Sequence, residues 1–135
     1  MVLDNVVICN TKNILNILKK PTEIYLENKN KLKYKNYGII NYGSLSDNIN
    51  EDDNEQLNII IPGYANKIVS NHVYSKDVIG ILWLSDGNHK IFINIDHDGF
   101  DCQKSTNDTN KYINEYLKIN QSLNGFWIEP FMLLN

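Results

Sequence analysis

The stretch of this chain best furnished for chemistry is Asn94-Ile95-Asp96-His97-Asp98-Gly99-Phe100, where oxygen-bearing side chains stand at alternate positions and a glycine follows. That is how a calcium loop opens, with ligands at its first, third and fifth positions and a glycine for the sharp turn. The likeness stops there, because the twelfth position of such a loop is Ser105, where a bidentate glutamate is required. The local reading is an acidic turn leaving a strand and bending at Gly99. His72, His89 and His97 suggest a second chemistry: a small metal-dependent hydrolase in which His89, His97 and Asp96 or Asp98 are gathered by a hairpin. No histidine pair has the one-turn helical spacing that preorganises metal ligands.

Nucleophilic chemistry has no local anchor either. There is no G-x-S-x-G elbow, and Cys102 has only Lys104 near it in sequence as an activating cation. Cys9 and Cys102 form no C-x-x-C spacing, and Cys9, within Val6-Val7-Ile8-Cys9, reads as a small buried hydrophobe. The glycines make neither a G-x-G-x-x-G nor a Walker loop. The leading expectation is therefore no catalytic residue, no bound metal and no cofactor.

Charge points to binding. The chain has 13 cationic residues, all of them lysine, against 16 acids, for a net charge of -3. Without arginine there are no guanidinium forks to clamp phosphate or carboxylate, and the acidic balance argues against a nucleic-acid partner. Abundant Asn, Ile, Lys and Tyr with no Arg is the vocabulary of an AT-rich genome. The acids are grouped: Asp47, Glu51, Asp52, Asp53 and Glu55 in one polar segment, Asp96, Asp98 and Asp101 in another. Such groups attract a basic protein, so Glu51, Asp52, Asp53, Glu55, Asp96, Asp98 and Asp101 are the candidate partner-binding residues. Lys29, Lys31, Lys33 and Lys35 alternate as on an edge strand blunted against aggregation. No apolar run is long enough to span a bilayer and no secretory leader opens the chain, so a cytoplasmic protein without a membrane partner is expected.

The elements that must position these residues follow from periodicity. A length of 135 residues suits a single globular domain, 1–135. The pattern predicts a short strand at Val6 to Cys9, then a helix through Ile14, Leu15, Ile17 and Leu18 that Pro21 ends. Strands are expected at Thr22 to Leu26, Tyr37 to Tyr42 and Leu57 to Ile61, with a loop from Gly43 to Glu55. Asp77 to Leu84 and His89 to Ile95 read as a hairpin about Ser85-Asp86-Gly87-Asn88, with Ile91 and Ile93 on one face and Phe92 on the other. A helix from Asp108 to Leu123 should bury Tyr112, Ile113, Tyr116 and Leu117, stop at a left-handed Asn124-Gly125, and be followed by a last strand from Phe126. The order of elements implies an α+β fold: a mixed, mainly antiparallel β-sheet with two main helices packed on it.

From Asp77 to Leu123 the chain resembles the SUKH superfamily of bacterial immunity proteins. The resemblance is carried by Ile79-Gly80-Ile81-Leu82-Trp83-Leu84, Ser85-Asp86-Gly87-Asn88, Ile91-Phe92-Ile93-Asn94-Ile95, Asp96-His97-Asp98-Gly99, and Ser105-Thr106-Asn107 leading into Tyr112-Ile113-Asn114-Glu115-Tyr116-Leu117. Pro62-Gly63-Tyr64 echoes the family's Pro and Tyr, whereas its double-glycine turn is missing. The resemblance implies an α+β protein that binds and blocks a cognate toxin, nuclease or deaminase, without catalysis. A viral protein that binds a host factor would share the composition.

Overall fold

A computed structural model of the chain describes residues 4–19, 22–26, 40–49, 56–62, 67–68, 72–94, 97–98 and 102–130. Its first element is a helix, α1 (Asn5–Ile17), where the sequence suggested a strand at Val6 to Cys9. Asp4 decides the matter locally, being extended and accepting the Val6 amide on Oδ1 at 2.7 Å as an N-cap does. Packing decides it globally. Thr11, Ile14 and Leu18 are buried and Val7 is half-buried, a stripe at helical spacing that a strand over Val6 to Cys9 would break. Cys9 then falls on the outer side and is exposed, contrary to its expected burial.

The strands are β1 (Thr22–Leu26), β2 (Ile40–Ile49), β3 (Gln56–Pro62), β4 (Lys67–Ile68), β5 (His72–Val73), β6 (Val78–Leu84), β7 (Lys90–Ile93), β8 (His97–Asp98) and β9 (Gly125–Ile128). Seven of them form one sheet in the order β5-β1-β2-β3-β7-β6-β9, and β4 pairs with β8 apart from it. All neighbours in the large sheet are antiparallel except β3 and β7, which run parallel with Ile59 opposite Ile91. With its two helices this is the expected α+β fold, its sheet mixed and mainly antiparallel. β2 runs on to Ile49, through part of the segment expected as a loop, because β3 pairs with it from Ile40 opposite Pro62 to Ile49 opposite Gln56, across one irregularity. Leu45, fully buried, anchors the extension.

Both faces of the sheet are covered. On one face Ile14 of α1 and Leu18, its C-cap, pack with Leu45, Leu57, Ile59, Ile61, Ile81, Ile91 and Ile93. On the other, Ile60, Leu82, Leu84 and Phe92 pack beneath Tyr112 of the second helix, α2 (Cys102–Ile119). β7, between two neighbours and two layers, is buried at all of its positions, as expected of a central strand covered on both sides.

α2 begins earlier and ends earlier than its periodicity suggested. Asp108 lies in its second turn, and Leu123 lies beyond its end. The helix stops where Asn120 bonds back to the Tyr116 carbonyl through both its amide and its side chain. Gly125 is not a left-handed stop but the first residue of β9, held close: a β-carbon there would stand 2.9 Å from both Leu84 Cδ2 and Leu117 Cδ2. Among the described glycines the positive φ belongs to Gly87, at 85°, in the β6–β7 turn.

Candidate functional site

Paired strands border the first acidic segment and include Asp98 of the second. Ile49 opposite Gln56 brackets residues 50–55, so the chain on either side of Glu51, Asp52, Asp53 and Glu55 is fixed by the β2–β3 ladder. Asp98 lies in the β4–β8 ribbon opposite Lys67, with His97 opposite Ile68. Glu51, Asp52, Asp53, Glu55, Asp96 and Asp101 themselves lie outside the described residues. A carboxylate on a paired strand meets a partner at a smaller entropic cost than one on a free tether.

Among the described residues, two charged or titratable side chains are buried side by side where the chain enters β7: His89 and Lys90, at 1% and 3% exposure. Strand alternation sets Lys90 on the face of Phe92. Lys90 goes with Phe92 to the α2 side. There its Nζ lies 3.5 Å from Tyr42 Oη, 5.8 Å from the Tyr42 ring centre and 5.6 Å from the Tyr116 ring centre. The ammonium is therefore held by a phenol oxygen and two π-faces, within the range at which an aromatic ring attracts a cation. One side chain thereby ties β2, β7 and α2 together. The aromatic cluster continues from it: Tyr116 stacks on Tyr112, Tyr112 meets Phe92 edge to face, and Phe92 meets Trp127 in the same way.

His89, the residue before β7, serves the turn. Its Nδ1 accepts the Leu84 amide at 2.9 Å, and its ring stacks on Trp83 with centroids 3.7 Å apart. An Nδ1 that accepts an amide cannot also carry a proton, so this ring is the neutral tautomer with its hydrogen on Nε2. The turn it supports is fastened on three sides. Gly87 donates to the Leu84 carbonyl and Asn88 to Asp86 Oδ1. Asn58 of β3 donates its side-chain amide to Asn88 Oδ1. The amide of Ser85 donates to the Asn124 carbonyl at 2.8 Å, and the Asn124 amide returns to Ser85 Oγ at 3.0 Å.

Sequence reasoning singled out His89 as a metal ligand candidate and passed over Lys90. The signal for Lys90 was present in the alternation that sets it on the face of Phe92, a face that a two-sided sheet must bury. Among the described residues no group of three or more His, Cys, Asp or Glu side chains is gathered as a metal site. Comparison of the chain with protein-family models, with curated proteins and with solved structures returns no match in any of the three.

Proposed function

We propose that this chain is a non-catalytic binding protein of immunity type, which holds and neutralises a cognate basic toxin of nuclease or deaminase class. What supports the reading is charge: the chain has a net charge of -3 and two acidic groups in its sequence, one lying between Ile49 and Gln56, which pair with each other, and one that includes Asp98, opposite Lys67. Opposite charge steers the encounter with a basic partner. The α+β architecture is the one the SUKH resemblance implies, which supports the reading from a second side. On this reading the protein acts in the cytoplasm, where the nucleic-acid substrates of such a toxin lie. Among the described residues no helix is long and apolar enough to cross a membrane. The test is co-expression with the product of a neighbouring toxin gene, followed by titration of the purified pair in a calorimeter. Restored growth with stoichiometric binding is the expected result; absence of binding to every toxin encoded beside the gene overturns the proposal.

A further inference from the structure

We propose that Asn124 is a site of spontaneous modification, at which the backbone of Gly125 converts the asparagine to isoaspartate and so uncouples β9 from the sheet. Asn124-Gly125 is the one place in the sequence where asparagine precedes glycine. An asparagine side chain is attacked by the amide nitrogen of the residue after it, and a side chain on that residue obstructs the approach. Glycine has none. Packing dictates the glycine, because a β-carbon at position 125 would stand 2.9 Å from both Leu84 Cδ2 and Leu117 Cδ2. Nothing comparable dictates the asparagine, which is exposed and whose side chain makes no hydrogen bond among the described residues.

The β6–β9 ladder leaves the attacking nitrogen without a partner among the described residues. Ser85 donates its amide to the Asn124 carbonyl at 2.8 Å, and the Asn124 amide donates to Ser85 Oγ at 3.0 Å, so both backbone groups of Asn124 face β6. Antiparallel strands alternate such positions with ones whose backbone groups face away. Gly125, opposite Leu84, is of the second kind, and it faces the edge of β9 on which no described strand lies. Its nitrogen therefore gives up no ladder bond when it attacks. Gly125 N bonds to Asn124 Cγ, the Cγ–Nδ2 bond breaks, and the proton of the attacking nitrogen leaves with Nδ2 as ammonia. Water then opens the cyclic imide at either carbonyl, giving aspartate or isoaspartate.

In isoaspartate the main chain runs through Cβ and Cγ, and the former α-carbonyl becomes a carboxylate beside it. The route from position 124 to Gly125 is then longer by one methylene. If the carboxylate keeps the Ser85 amide, β9 is displaced along β6; if β9 keeps its register, the pair with Ser85 is lost. Gly125 has little room to move, since two methyl groups already stand where its side chain would be. Register matters most at Trp127, whose ring fills the space over Gly80 and meets Phe92 at 5.2 Å between centroids. β2 and β3 pair with each other away from β9, so their ladder is left in place.

The experiment is incubation of the intact chain at mildly alkaline pH, sampled over time and read by peptide mass spectrometry, with enzymatic methylation to mark isoaspartate. Asn124 should convert before every other asparagine, and its rate in the folded chain should stay within about tenfold of that in urea, because no ladder bond has to open first. Hydrogen exchange on the separated isoaspartate form should show lost protection at Phe126 and Ile128, whose amides face β6, with β2 and β3 unchanged. Asn124→Gln keeps an amide but must close a larger ring, so it should stay unconverted and keep that protection. Asn124→Asp supplies the charge without the extra methylene and should keep it too. The measurements on the unsubstituted chain stand whether or not either variant folds. Earlier conversion of another asparagine, a folded rate far below the urea rate, equal protection at Phe126 and Ile128 in the two forms, or lost protection in Asn124→Asp would each overturn the proposal.

Discussion

Trp127 leans over Gly80 so closely that a β-carbon at Gly80 would stand 2.6 Å from Trp127 Cε2. Gly80 lies opposite Phe92 in the β6–β7 ladder, and the Phe92 ring meets Trp127 edge to face with centroids 5.2 Å apart. The missing side chain at Gly80 is thus the space that lets β9 dock its indole onto the centre of the sheet. Gly80→Ala should destabilise the protein by about 1–3 kcal/mol through overpacking. In urea melts Gly80→Ala combined with Trp127→Leu should cost less than the sum of the two single changes. Strict additivity would show that the two residues do not compete for this space.

Among the described side chains of α2, Tyr112 is the most deeply buried, at 2% exposure, while Tyr116 and Leu117 are half-buried and Lys118 is exposed. Tyr112→Ala should cost about 3–5 kcal/mol, as loss of a fully buried aromatic does. Lys118→Ala should fall within about 0.5 kcal/mol of the parent. Equal denaturation midpoints for the two variants would contradict the helix orientation.

Lys90 and Tyr116 belong to different layers, and the 5.6 Å from Nζ to the ring centre is a contact between them. A double-mutant cycle with Lys90→Met and Tyr116→Leu should return a coupling of about 0.5–2 kcal/mol, the range for a cation over an aromatic face as water is withdrawn. Methionine keeps most of the lysine stem, so Lys90→Met should also cost less than Lys90→Ala. Zero coupling would assign the contact to packing alone.

Asp4 starts α1 by accepting the Val6 amide. Asp4→Ala should cost about 0.5–2 kcal/mol, with Asp4→Asn close to the parent, because the cap needs an oxygen at that position more than a charge. Thermal melts followed by circular dichroism check this ordering.

Glu51, Asp52, Asp53 and Glu55, replaced together by Gln or Asn, should slow association with a basic partner and flatten its salt dependence, because long-range attraction is screened beyond about 8 Å at physiological salt. Replacing Asp96 and Asp98 should act more on dissociation, since the β4–β8 ribbon holds Asp98 on a paired strand. Surface plasmon resonance at several salt concentrations separates the two effects. Unchanged kinetics in both variants would remove the acidic surface from the proposed function.

What the sequence by itself determined was local: where turns fall, which residues alternate, and how charge is distributed. The β6–β7 hairpin was legible because a turn with Gly87 separates two runs whose alternation survives in any surroundings. Ile91 and Ile93 facing away from Phe92 was legible for the same reason. The acidic segments were legible as composition, the pairing of Asp98 with Lys67 was not. Tertiary structure decided what depends on partners distant in sequence. Val6 to Cys9 has β-branched residues that favour a strand, and the helix prevailed because Thr11, Ile14 and Leu18 needed to continue Val7 along one stripe facing the sheet. Gly43 to Ile49 has turn-forming residues, and the strand prevailed because β3 offered it a ladder. His89 and Lys90 differ by one position and look equally available in sequence. Only the folded turn, stacked on Trp83, made one a buried acceptor for Leu84, and only the layer of α2 made the other a cation set between Tyr42 and Tyr116.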